Sequence, residues 1–157
     1  GTISSLWEAI MEILDPQKSG IDVFDDKWKI YSRTSGYPGH HIFEGAKVSM
    51  SMITDGCKIR GTVDHSILFA GVTVEEGAVV RDAVVMGNSV IKKGAKVSHC
   101  IIAEGAVIEE GATVGLMPEE GGKGVATVAS KVVVGKNAVV GSEAMVRDNV
   151  KDGEEVC

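Results

Sequence analysis

Residues 80–102 read VRDAVVMGNSVIKKGAKVSHCII. Aliphatic residues stand at Val80, Val85, Ile91, Val97 and Ile102, in steps of five, six, six and five. Asn88 and Gly94 lie three places ahead of Ile91 and Val97, and each is followed by a small residue, Ser89 or Ala95. The choices have one physical reason. A short extended segment points its aliphatic side chain inward, and then the chain turns. Gly and Asn tolerate the left-handed backbone a tight corner needs. The small residue fits where the corner leaves little room.

The pattern extends in both directions. Aliphatics recur at Leu68, Val74 and Val80, and at Ile102, Ile108 and Val114. After an interruption they resume at Val128, Val134, Val140 and Val146. Gly45, Gly56, Gly71, Gly77, Gly105, Gly111 and Asn137 hold the turning place. The segments VSMSMI (48–53), VDHSIL (63–68), VRDAVV (80–85) and VSHCII (97–102) each drop one residue. Leu68, Val85 and Ile102 are therefore 17 residues apart, three hexads less one. A fixed period whose units stack on their neighbours marks a solenoid. The expected fold is mainly β, a parallel β-helix of roughly six coils over residues 42–157. A sandwich of alternating strands would not place Gly at every sixth position. The stretch GLMPEEGGKG (115–124) lacks phosphate-loop spacing, since Lys123 is followed by Gly124, and reads as a loop protruding between coils.

Residues 1–41 read as a lead-in. Ser5-Leu6-Trp7-Glu8 has the form of a capping box, and Leu6, Ile10, Ile13 and Leu14 follow at helical spacing. A helix over about 6–14, ending before Pro16, is expected. Short strands are expected around Ile21–Phe24 and Trp28–Tyr31, then a turn at SGYPGH (35–40).

The charge of −6 and pI of about 5.2 argue against a nucleic-acid partner, which needs surplus Lys and Arg. No apolar run reaches membrane-spanning length, and the opening lacks the features of a signal peptide. Cys57, Cys100 and Cys157 have neither zinc spacing nor an even count for a disulfide framework. A reducing cytoplasm is expected.

The segments outside the hexads carry a more specific signal. GTISSLWEAIMEIL (1–14) resembles the end of the catalytic domain of ADP-glucose pyrophosphorylases, where the family pattern is D-V-G-T-(I/L)-x-x-(Y/L)-W-x-A-N. Gly1, Thr2, Ile3, Leu6, Trp7 and Ala9 match, while Ile10 replaces the Asn. DDKWKIYSR (25–33) is similar to the family's W-x-I-x-(T/S)-R segment. DGCKIRGTVDHSILFAGV (55–72) and VRDAVVMG (80–87) resemble its next stretch, and VVVGKNAVV (132–140) its late coil.

The resemblance implies a left-handed β-helix that regulates and assembles a glucose-1-phosphate adenylyltransferase. That enzyme makes ADP-glucose and pyrophosphate from ATP and glucose 1-phosphate, with Mg²⁺, as a homotetramer. The family's metal-linked Asp would precede Gly1, so the catalytic half would lie outside this sequence and no catalytic residue is carried over. The expected partners are that N-terminal catalytic domain, further copies, and anionic sugar-phosphate effectors. Arg81 falls where plant-type relatives carry a regulatory Lys; Arg33 and Arg60 would add charge if they converge with it. Guanidinium forks suit phosphate. Glu104 replaces a second regulatory Lys and would repel an anion. A stand-alone hexapeptide acyltransferase, or the β-helix of another sugar-phosphate nucleotidyltransferase, is the alternative.

His65, Asp82 and His99 hold one place in three successive coils. Neighbouring strands lie about 4.8 Å apart, so these side chains should stack on one outer edge. Two His flanking a carboxylate offer zinc ligands; the plainer expectation is a surface ladder, with no metal or cofactor in this chain. Cys57 and Cys100 sit at small-residue places and are expected to be packing residues.

Overall fold

The structure is a computed structural model, and it describes residues 2–20 and 36–157. Three parallel ladders form the walls of a prism. One contains His41–Ile42, Lys58–Ile59, Thr73–Val74, Val90–Ile91, Val107–Ile108 and Val133–Val134, and Val150 bridges onto Val134 to begin a further turn. A second runs through Lys47–Ser49, Thr62–Asp64 and the first halves of Val79–Val85 and Lys96–Ile102. It continues through Thr113–Val114, Val139–Val140 and Glu155–Val156. The third joins Met52–Ile53, Ile67–Leu68, the second halves of those long strands, Ala126–Val128 and Met145–Val146. The parallel β-solenoid expected from the hexads is thus the fold.

The register follows the repeat. Ile59, Val74, Ile91, Ile108 and Val134 form one inward column; Val63, Val80, Val97, Val114 and Val140 form another, and all are fully buried. Leu68, Val85, Ile102 and Val128 make the third. Each buried side chain of this size contributes roughly 1.5–3 kcal/mol. Ala78, Ala95, Ala112 and Ala138 fill the corners beside them. Ser89 and Ser66, the buried polar residues among those described, are satisfied by donating to the Ala103 and Asp64 carbonyls.

The helix begins one turn earlier than its capping pattern suggested. Helix α1 spans Ile3–Met11 and continues as a 3-10 turn over Glu12–Leu14. Thr2, not Ser5, is the N-cap, its Oγ1 accepting from the Ser5 amide at 3.1 Å. Both residue types can cap; the earlier start places Ile3, Trp7 and Met11 on one face. The run ends at Leu14, before Pro16 as expected, with Asp15 in an extended conformation; Pro16 then opens a separate four-residue helix, α2 (Pro16–Ser19), capped by Asp15. The strands expected at 21–24 and 28–31 lie outside the described residues. Helix α1 lies on the third wall, where the outward side chains of Ile67, Val84 and Ile101 are buried against Trp7, Met11 and Leu14.

Candidate functional site at the helix–solenoid junction

Dropping one residue per coil has a geometric consequence. Met50, His65, Asp82 and His99 occupy equivalent corners and have φ of 44° to 46°, in the left-handed region. Side chains on a column of such corners project together. His65 Nδ1 lies 2.6 Å from Asp82 Oδ1. His99 turns the other way: its ring meets Trp7 edge to face, centroids 4.6 Å apart, and its Nδ1 is buried without a partner. Trp7 Nε1 donates to the Asp82 carbonyl at 2.9 Å. One indole thereby contacts two successive corners, and the Asp82 side chain extends the connection to a third.

The ladder expected from the 17-residue spacing is present in register, but it is not an open edge, because α1 covers it at His99. The arrangement pairs His65 with Asp82 and directs His99 to Trp7. Among the described residues no group of three His, Cys, Asp or Glu side chains is placed to share a metal ion. A groove of about 350 Å³ opens beside the pair, lined by Trp7, Glu8, Met11, Glu12, Lys18 and His65. A carboxylate on Nδ1 fixes the imidazole orientation and leaves Nε2 as the acceptor.

The predicted arginines have separate surroundings. Arg81 stands 3.7 Å from Glu119, on the loop between coils. Arg60 lies over the Phe43 ring at 3.8 Å, in a groove shared with Glu44 and Glu76. Arg33 lies outside the described residues. Glu104 sits on another corner, in an apolar groove with Phe69 and Met86.

Cys57 and Cys100 are buried core members, as their places in the repeat implied. Burial raises both thiol pKa values, most strongly at Cys100; Cys57 donates to the Phe69 carbonyl at 3.1 Å. Three contacts escaped sequence reasoning. Trp7 is 75 residues from Asp82, Glu119 belongs to an insertion outside the repeat, and Phe43 lies in the first coil at a place the period does not mark. Only the Trp7 contact left a trace, an aromatic residue on the apolar face of a short helix that needs a surface to pack on.

The family described as GlmU-like, C-terminal hexapeptide, matches residues 40–135. Among curated proteins, the glucose-1-phosphate adenylyltransferases of Bacillus mycoides strain KBAB4 and Bacillus anthracis are each 50% identical over 93 residues. The aligned region is 59% of this chain and 24% of each relative, so the chain spans about a quarter of their length. Among solved structures, the acetyltransferase domain of PglB from Neisseria gonorrhoeae FA1090 superposes with a TM-score of 0.53 at 20% identity, over 76% of this chain and 54% of that one. The complex of that domain with acetyl coenzyme A gives the same TM-score at 19% identity. These two share the fold.

Proposed function

Because the chain belongs to the GlmU-like C-terminal hexapeptide family, we propose that it is the β-helical part of a glucose-1-phosphate adenylyltransferase, serving assembly and regulation of that enzyme. One observation carries the reading. The TISSLW segment (2–7), which resembles the end of a catalytic domain, is fixed to the VRDAVV coil through Trp7 and Asp82. Two stretches that resemble adenylyltransferases are therefore in contact.

In this reading the parent enzyme is cytoplasmic and transfers the adenylyl group of ATP to glucose 1-phosphate. A catalytic domain outside this chain holds Mg²⁺ and releases pyrophosphate. The present chain supplies no catalytic residue. It supplies a stiff stack of coils, a helix held at a set angle, and surfaces for further copies in a tetramer. Arg81, Arg60 and Arg33 supply positive charge for anionic sugar-phosphate effectors. An effector at Arg81 must displace Glu119, and it regulates only if it binds one state of the parent better than another.

The test is an assay of the whole gene product for ADP-glucose formation, with and without sugar phosphates. Activation or inhibition that R81A weakens supports the reading. Absence of adenylyl transfer overturns it.

A second reading, a hexapeptide acyltransferase, is favoured by the His65–Asp82 pair at 2.6 Å. His65 would take the proton from an amine as the new N–C bond forms at a thioester carbonyl. The C–S bond would break, and the thiolate would leave and be protonated. Release of coenzyme A from acetyl-CoA in the presence of an amino sugar, lost in H65A, supports this reading. No release overturns it.

A further inference from the structure

A groove of about 410 Å³ runs along a different corner of the prism. Its volume falls in the range of small-molecule sites, and its lining is mostly apolar with few polar groups. Phe69 and Tyr37 expose 40% and 39% of their surface there, unusual for rings in a chain with so few aromatics. Met86 borders the same space, and Ala70 and Gly87 leave it wide. Tyr37 is a seated wall: its hydroxyl donates to Asn88 Oδ1 at 2.9 Å. Its ring lies over Gly56 and Gly71, where a Cβ would come within 2.8 Å of Tyr37 Cδ1 and 3.2 Å of Tyr37 Cε1 respectively. The glycines, required at these corners by positive φ, also make room for the ring.

Among the described residues of the lining, Glu104 is the charged one. A carboxylate only accepts hydrogen bonds at neutral pH, so a ligand must bring a donor. It also repels phosphate, as does the overall charge of −6. Flat rings stack on exposed aromatic faces regardless of detailed hydrogen bonding.

We propose that this groove binds a planar heteroaromatic ring with an exocyclic amino group, as in an unphosphorylated nucleoside, the ring resting on Phe69 and Tyr37 and the amino group donating to Glu104. The site is distinct from the Trp7 groove and from Arg81 and Arg60, and it does not depend on the function proposed above.

The 157-residue chain, labelled with ¹⁵N, is titrated separately with adenosine, purine riboside and AMP. Adenosine is expected to shift the amide signals of Gly87, Asn88 and Gly105. Purine riboside, which lacks the amino group and has no other donor on its base edge, should bind about tenfold more weakly, and E104Q should lose about the same for adenosine. F69A should also weaken adenosine about tenfold; Phe69 lies outside the core cluster, so the fold is retained. AMP should bind more weakly than adenosine in the native chain. No shifts up to about 10 mM adenosine, where a millimolar site would be mostly filled, would overturn the proposal. So would equal affinity for adenosine and purine riboside, or AMP binding more tightly than adenosine.

Discussion

Trp7 Nε1 donates to the carbonyl of Asp82, 75 residues away, and this bond joins the N-terminal helix to a corner of the solenoid. The Asp82 carbonyl is available because φ of 46° turns the backbone out of the strand. A Trp7→Phe substitution keeps most of the packing on Met11 and Ile101 but removes the donor. It should cost about 1 kcal/mol of helix docking. Hydrogen exchange in α1 should speed up, while exchange in the strands of the prism stays unchanged. Equal protection of α1 in both proteins would show that packing alone holds it.

Gly115 and Gly94 separate two reasons for glycine. Both have positive φ, 75° and 71°. At Gly94 a Cβ would meet nothing within 4 Å, whereas at Gly115 it would run into the Ser98 carbonyl. Gly94→Ala should therefore cost only the left-handed penalty, about 1–2 kcal/mol. Gly115→Ala should cost more, because a backbone atom of the adjacent coil must shift. Urea unfolding of the two variants checks the order.

The repeat was legible because an inward aliphatic and a corner Gly or Asn are both local requirements, renewed in every coil. The column Val74, Ile91, Ile108 follows from spacing alone. The helix start was less legible, because Thr2 and Ser5 are both competent caps and the choice depends on which start lays Trp7 on the third wall. The spacing of His65, Asp82 and His99 showed that they share a corner. It could not show that α1 covers His99 while leaving His65 to Asp82. The partners of Arg81 and Arg60 lie in the inserted loop and the first coil, where periodicity carries no information.

Ile42 and Ile59 occupy the same place in neighbouring coils, paired in register. Ile42 keeps 44% of its surface exposed and Ile59 none. Ile59→Ala should destabilise the chain by about 2–5 kcal/mol, through lost transfer energy and the cavity left behind. Ile42→Ala should cost less than about 1 kcal/mol, because water already reaches the site. Chemical denaturation of both variants gives the comparison. Similar losses would mean that the first coil is as tightly enclosed as the second.

Burial of Cys57 and Cys100 predicts an alkaline weakness. Both folded-state pKa values lie above the ordinary thiol value, with desolvation the leading cause. The unfolded chain releases these protons near pH 8.5, while the folded chain holds them. Their contribution is complete below the unfolded value and declines as pH rises above it. The decline approaches about 1.4 kcal/mol per pH unit for each thiol that stays protonated in the fold. Cys100→Ala should show a shallower fall in unfolding free energy between pH 8 and 10 than the native chain. Alkylation of the folded protein at pH 8 should label Cys157 alone, with Cys57 and Cys100 reacting only after denaturant is added, because Cys157 is the exposed thiol. Labelling of Cys100 in the folded chain at a rate comparable to Cys157 would mean that the prism opens at its centre far more often than a continuous core of stacked aliphatics permits.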